Sequence, residues 1–191
     1  MLRDETFSAS AIFLGGFHTG FDSHNYDFRD AANALHLALK DKIALASTSV
    51  LDKSNILFIA HSAGGIVVRD MLIRKTEDFA DKAVGLVLIA SPSIGTPDAD
   101  RLQFIADLVH SEQGRQLRVS NDYLTEMDKN FKNLVNEDSI PYLVGEEWLE
   151  HHLVVSKFFG IWRDSVLVDV KTAARYFGES VQIADTPYEY C

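Results

Sequence analysis

The chain has 191 residues, 47% of them hydrophobic, and 28 acidic against 18 basic side chains give a net charge of −10. The length suits one domain, residues 1–191, around one sizeable core, and the apolar fraction excludes a disordered chain. The acidic balance argues against a nucleic-acid partner and against an electrostatic anchor on anionic membranes, and leaves a neutral ester or lipid open.

The chain opens Met-Leu-Arg-Asp-Glu-Thr-Phe-Ser. Two acids precede a short apolar stretch, whereas a secretion signal wants a basic start and a longer apolar core. No uninterrupted apolar run approaches membrane-spanning length, so no integral membrane segment is expected and the protein reads as soluble and cytoplasmic. Residues 11–14 form a short apolar run, an expected strand, ending in Gly15-Gly16. Residues 27–40 place Ala31, Ala34, Leu35, Leu37, Ala38 and Leu39 at helical spacing. A possible strand follows at 43–46. The unbroken apolar run 56–60 suits a central parallel strand covered on both faces, and a helix is expected over 66–75. Residues 84–90 read as another buried strand, ending in Ser91-Pro92. Helices are expected over 101–110 and 121–135, separated by the polar stretch 112–120, a loop or lid edge. A strand over 141–144 leads into an acidic loop. Residues 166–168 are extended, 171–177 helical with Gly178 as the stop, and 181–184 the last strand. This alternation predicts an α/β sandwich with a mainly parallel sheet and helices on both faces. The single cysteine, Cys191, allows no intrachain disulfide and no CxxC metal framework, which fits a reducing compartment.

Residues 56–65 read Ile-Leu-Phe-Ile-Ala-His-Ser-Ala-Gly-Gly. An apolar strand stops at a serine wrapped in small residues, and a helical pattern begins at once. This is how a nucleophile is mounted on a sharp strand-to-helix turn: small neighbours allow the tight turn, and the serine oxygen is raised above the sheet. The helix start turns unpaired N–H groups toward whatever reacts there. The common pattern is Gly-x-Ser-x-Gly, and Ala60 holds the first Gly position.

With that turn in place, the chain resembles the α/β-hydrolase family, in particular its small lipase and serine-esterase members, over nearly its whole length. The resemblance implies an α/β-hydrolase sandwich, no cofactor and no metal, and an ester or lipid acyl bond cleaved through an acyl-enzyme on Ser62. It implies an oxyanion hole built from the backbone N–H groups of Phe17, after the strand 11–14, and Ala63, after the nucleophile. Gly15 stands where the family usually has a histidine. Ser91-Pro92-Ser93-Ile94-Gly95-Thr96 looks like the family's Thr-Pro-His-x-Gly-Ser segment, with Ser93 for the histidine, and is either a pocket rim or a plain loop. Arg163-Asp164-Ser165-Val166 resembles the acid loop and points to Asp164 as the carboxylate that orients the base, with Asp169 and Asp185 as competitors.

The pattern breaks at the base. The family histidine lies after the last strand, and there this chain reads Asp185-Thr186-Pro187-Tyr188, which puts Tyr188 at its place. The seven histidines, at 18, 24, 36, 61, 110, 151 and 152, all precede Asp164. A serine without a base is a weak nucleophile, and a tyrosine near pKa ~10 is a poor substitute. Three explanations stand: an active hydrolase with an altered C-terminus, a catalytically impaired or inactive binding protein, or a base supplied by His18, His151 or His152. His61 reads as packing. Glu146, Glu147, Glu150, His151 and His152 form an acidic, solvated loop or short helix rather than a metal set, with Trp148 covering the core. The aromatic stretch at Phe158, Phe159, Ile161 and Trp162 is core or a lid patch. The expected partner is a small-molecule ester or lipid.

Overall fold

The computed structural model describes residues 11–16, 27–42, 48–89, 91, 121–150, 176–178 and 181–183. Helix α1, Phe28–Lys40, starts on a reciprocal cap: the Asp27 side chain accepts from the Asp30 N–H at 2.8 Å, and the Asp30 side chain accepts from the Asp27 N–H at 3.2 Å. Its buried face is Phe28, Ala31, Ala32, His36 and Leu39. Ala34 and Leu37, expected on the core side, are exposed, and His36 takes the buried position. It is admitted there because its Nε2 is 2.6 Å from Asp78, in a short 3₁₀ turn, Thr76–Asp78.

Strand β1, Asn55–His61, runs into helix α2, Ala63–Arg74, and the chain returns as strand β2, Ala83–Ile89. Helix α3, Asn121–Asn136, leads into strand β3, Tyr142–Glu150, and β4 is Val181–Ile183. The sheet order is β1-β2-β3-β4 and every pairing is parallel. This is an α/β fold, as the alternation of elements predicts. The register aligns Ile56, Phe58 and Ala60 with Val84, Leu86 and Leu88, so their inward side chains form one face. That face and the inward residues of α1, α2 and α3 make a single core. Helix α2 sits at its centre, with every residue from Gly65 to Leu72 buried. On α3, Leu124, Met127, Phe131 and Leu134 recur at helical spacing and are buried.

Four expectations are corrected. The strand β1 is not covered on both faces among the described residues: Leu57 and Ile59 stay 52% and 54% exposed, beside exposed Tyr142 and Val144 on β3. The described helices pack on the opposite face, and residues 101–110 and 171–175, expected to be helical, lie outside the described residues. A continuous apolar run reports that a strand is apolar, not how many faces are packed. Residues 11–16 carry no strand, and Ile12, Phe13 and Leu14 are exposed, because four apolar residues make a strand only where a neighbour pairs with them. The acidic stretch after Val144 is not a loop but the continuation of β3. Parallel pairing with β2 carries the chain through Glu146 and Glu147, which face opposite sides of the sheet. Phe177 lies in a bend and not in a helix, and Gly178 follows it at φ 94°.

Candidate active site

Ser62 lies at the junction of β1 and α2, at the carboxyl end of the sheet, where ligands of open parallel sheets bind. Its N–H continues the ladder by donating to the Ile89 carbonyl at 2.9 Å, and its carbonyl accepts from the Gly65 N–H at 3.0 Å. Between these fixed points the chain must reverse from strand to helix in one residue. Ser62 does so at φ 52°, ψ −128°, a region that L-residues avoid and glycine accepts.

The side chain is equally unusual. Serine is among the preferred N-cap residues because its oxygen accepts an N–H of the first helical turn. Asp27 does this for α1. Ser62 occupies the same position for α2 and makes no such bond. Ser62 is half-buried, and the N–H groups that follow it at the start of α2, those of Ala63 and Gly64, are ones a helix cannot satisfy internally. A serine and helix-start donors able to stabilise an anion thus adjoin in the chain.

The turn is tight because its neighbours are small. Ala60 is buried at the end of β1. A Cβ on Gly65 would stand 2.6 Å from the Ser91 Cβ and 3.0 Å from Leu88 Cδ2, so only glycine lets α2 approach the end of β2 this closely. Gly145 does the same for Phe177, whose ring would meet a Cβ at 2.5 Å.

Beneath the turn lies a polar cluster that sequence reasoning missed. Arg69, fully buried on α2, donates from Nε to the Gly65 carbonyl at 3.0 Å, from Nη1 to the Tyr176 hydroxyl at 2.5 Å and from Nη2 to Ser91 Oγ at 3.2 Å. The Tyr176 hydroxyl in turn donates to Asp128 Oδ1 of α3 at 2.5 Å, and Lys132 approaches the other Asp128 oxygen at 3.1 Å. The Tyr176 N–H donates to buried Glu147 of β3 at 3.1 Å. Glu147 is therefore a buried acceptor and not part of a solvated acidic loop; Glu146 faces outward and accepts from Trp148 Nε1 at 2.7 Å. The signal available in the sequence was Arg69 itself, an arginine in the run Ile66-Val67-Val68-Arg69-Asp70-Met71-Leu72. A helix apolar all round is buried, and a buried arginine requires partners.

Farther along α2, buried Asp70 pairs with Arg74 at 2.7 Å. Burial first, and then the Asp70 charge, push the neighbouring Tyr123 phenol above its ordinary value.

Of the residues expected to act, the structure places Ser62 and Ala63 side by side at the turn. Phe17, Asp164 and Tyr188 lie outside the described residues, as do Asp169, Asp185, Ser93, His18, His151, His152 and the aromatic stretch 158–162. Among the described residues there is no cluster of three or more metal-ligating side chains, and no helix long and apolar enough to cross a membrane. No family model matches the chain, and no curated protein or solved structure matches it at a significant level.

Proposed function

We propose that the chain is a serine hydrolase of α/β-hydrolase type that cleaves a carboxylic ester or lipid acyl bond through an acyl-enzyme on Ser62. The observation that carries the reading is the backbone of Ser62: a non-glycine residue held at φ 52°, with its hydroxyl withheld from capping the helix it begins. Strain of this kind costs ~1–3 kcal/mol and persists where the surrounding structure enforces it, most often at functional sites. Here it falls on a serine at the carboxyl edge of the sheet.

In the proposed mechanism, Ser62 Oγ attacks the ester carbonyl, and the oxyanion is held by the Ala63 N–H and a second donor assigned by resemblance to Phe17. The alcohol leaves, and water releases the acid. Asp164 is assigned to orient the base. The chain leaves β3 at Glu150 and β4 at Ile183, both at the carboxyl edge where Ser62 lies, and Asp164 and Tyr188 follow those two strands in sequence.

A second reading, a catalytically impaired hydrolase-like binding protein, is favoured by one observation: Tyr188 stands where the resemblance puts the base histidine. Loss of a triad member costs ~10⁴–10⁶ in turnover, with a residual ~10³ over water from the oxyanion hole. Hydrolysis of p-nitrophenyl esters by the chain, Ser62→Ala and Tyr188→His separates the two. Slow turnover that vanishes in Ser62→Ala and rises by orders of magnitude in Tyr188→His supports a hydrolase short of its base. Robust Ser62-dependent turnover in the unaltered chain moves the base to His18, His151 or His152. Turnover equal to background in all three leaves the binding protein.

A further inference from the structure

Arg69 donates three hydrogen bonds, and two of its partners, Gly65 and Ser91, lie beside the turn at Ser62. Its Nε holds the Gly65 carbonyl in the first turn of α2, three residues after Ser62. Its Nη2 holds Ser91, two residues past the strand end whose Ile89 carbonyl accepts the Ser62 N–H. Gly65 and Ser91 are the pair pressed together at the glycine-only contact beneath the turn. The third arm, through Tyr176 to Asp128, ties the guanidinium to α3, and the Tyr176 N–H ties the same segment to β3 through Glu147. The Tyr176 ring is itself fixed edge-on against Phe131 at 4.9 Å.

We infer that Arg69 is a positioning residue: a buried guanidinium clamp, held by Tyr176 and Asp128, that locks the first turn of α2 against the end of β2 and so fixes the Ala63 N–H relative to Ser62 Oγ. The planar fork of arginine reaches three acceptors in fixed directions, which the single ammonium of lysine does not. A strained turn stays strained only while its two ends are held, and the clamp grips one end through Gly65 and the other through Ser91. It touches no substrate; it acts through the turn. The catalytic consequence rests on the reading of Ser62 as the nucleophile, whereas the mechanical one does not.

The test uses the full chain with Tyr176→Phe and Ser91→Ala, each of which removes one hydroxyl and little volume, and Arg69→Lys. Two quantities are read in each: amide hydrogen exchange over residues 61–66 against 83–89, and the rate and half-saturation of labelling by a fluorophosphonate. Loss of one arm is expected to speed exchange at the turn about tenfold while the β2 amides keep their protection. It is also expected to lower the maximal labelling rate about 10- to 100-fold at unchanged half-saturation, since a small misplacement of reacting groups costs rate and not probe binding. Turn exchange unchanged in Tyr176→Phe and Ser91→Ala overturns the clamp, even if Arg69→Lys fails to fold. Equal acceleration at the turn and in β2 also overturns it, because the cluster then serves general stability. If the unaltered chain takes no label, the nucleophile reading falls and exchange alone decides the clamp.

Discussion

Replacing Ser62 with glycine is expected to stabilise the protein. Most glycine substitutions cost stability, because the unfolded chain gains freedom worth ~0.5–1 kcal/mol. At φ 52°, ψ −128° the balance reverses. The strain of a Cβ in this region is ~1–3 kcal/mol and disappears with the Cβ. The hydroxyl makes no capping bond, so none is lost, and the N–H bond to Ile89 and the carbonyl bond from Gly65 are backbone interactions that glycine keeps. The net gain is ~0.5–2 kcal/mol, which for a chain of this size raises Tm by roughly 1–8 °C. Ser62→Ala keeps the Cβ and hence the strain, and its stability should stay within ~0.5 kcal/mol of the parent. Urea unfolding of the three proteins at equal m-value is the assay. A Ser62→Gly protein less stable than its parent by ~0.5–1 kcal/mol would show that the turn is unstrained and remove the main support for a functional serine.

Gly65→Ala drives a methyl into Ser91 and Leu88 and is expected to destabilise by ~1–3 kcal/mol. Adding Ser91→Gly, which removes the colliding Cβ, should recover part of that loss, and a double-mutant cycle by chemical denaturation measures the coupling. The His36 hydrogen bond, with help from Lys40, holds the Asp78 carboxyl below its ordinary value. A carboxylate with a lowered folded pKa adds stability above its unfolded pKa of ~3.9 and loses it as pH falls through the folded value. Asp78→Asn should therefore lower Tm near neutral pH, and thermal melts across pH should show the gap to the parent closing as pH falls from the unfolded pKa of ~3.9 through the lowered folded value. Tyr188→His should raise Ser62-dependent ester turnover, read by p-nitrophenol release.

What could be read from the sequence follows the range of the interactions involved. The turn at Ser62 was legible because apolar strand, small residues and helix are adjacent in the chain, and α1 and α3 because their apolar spacing is local. β3 was cut short because Glu146 and Glu147 look like loop residues; only the β2 pairing and the Tyr176 N–H, 29 residues away, make a buried glutamate acceptable in a strand. His36 was passed over for the same reason, since its place in the core depends on Asp78, 42 residues distant. The Arg69 cluster draws on α2, the end of β2, α3 and residue 176. Nothing local announces such an assembly beyond the anomaly of an arginine in an apolar helix. The strand expected at 11–14 failed in the other direction, through an apolar run that pairs with no strand among the described residues.

The most direct test of Ser62 as a nucleophile is covalent capture: incubation of the full chain with a fluorophosphonate, followed by peptide mass mapping. A single adduct on Ser62, formed faster than on any other hydroxyl and absent from Ser62→Ala, is the expected result. No adduct at Ser62, or labelling that persists undiminished in Ser62→Ala, would contradict it.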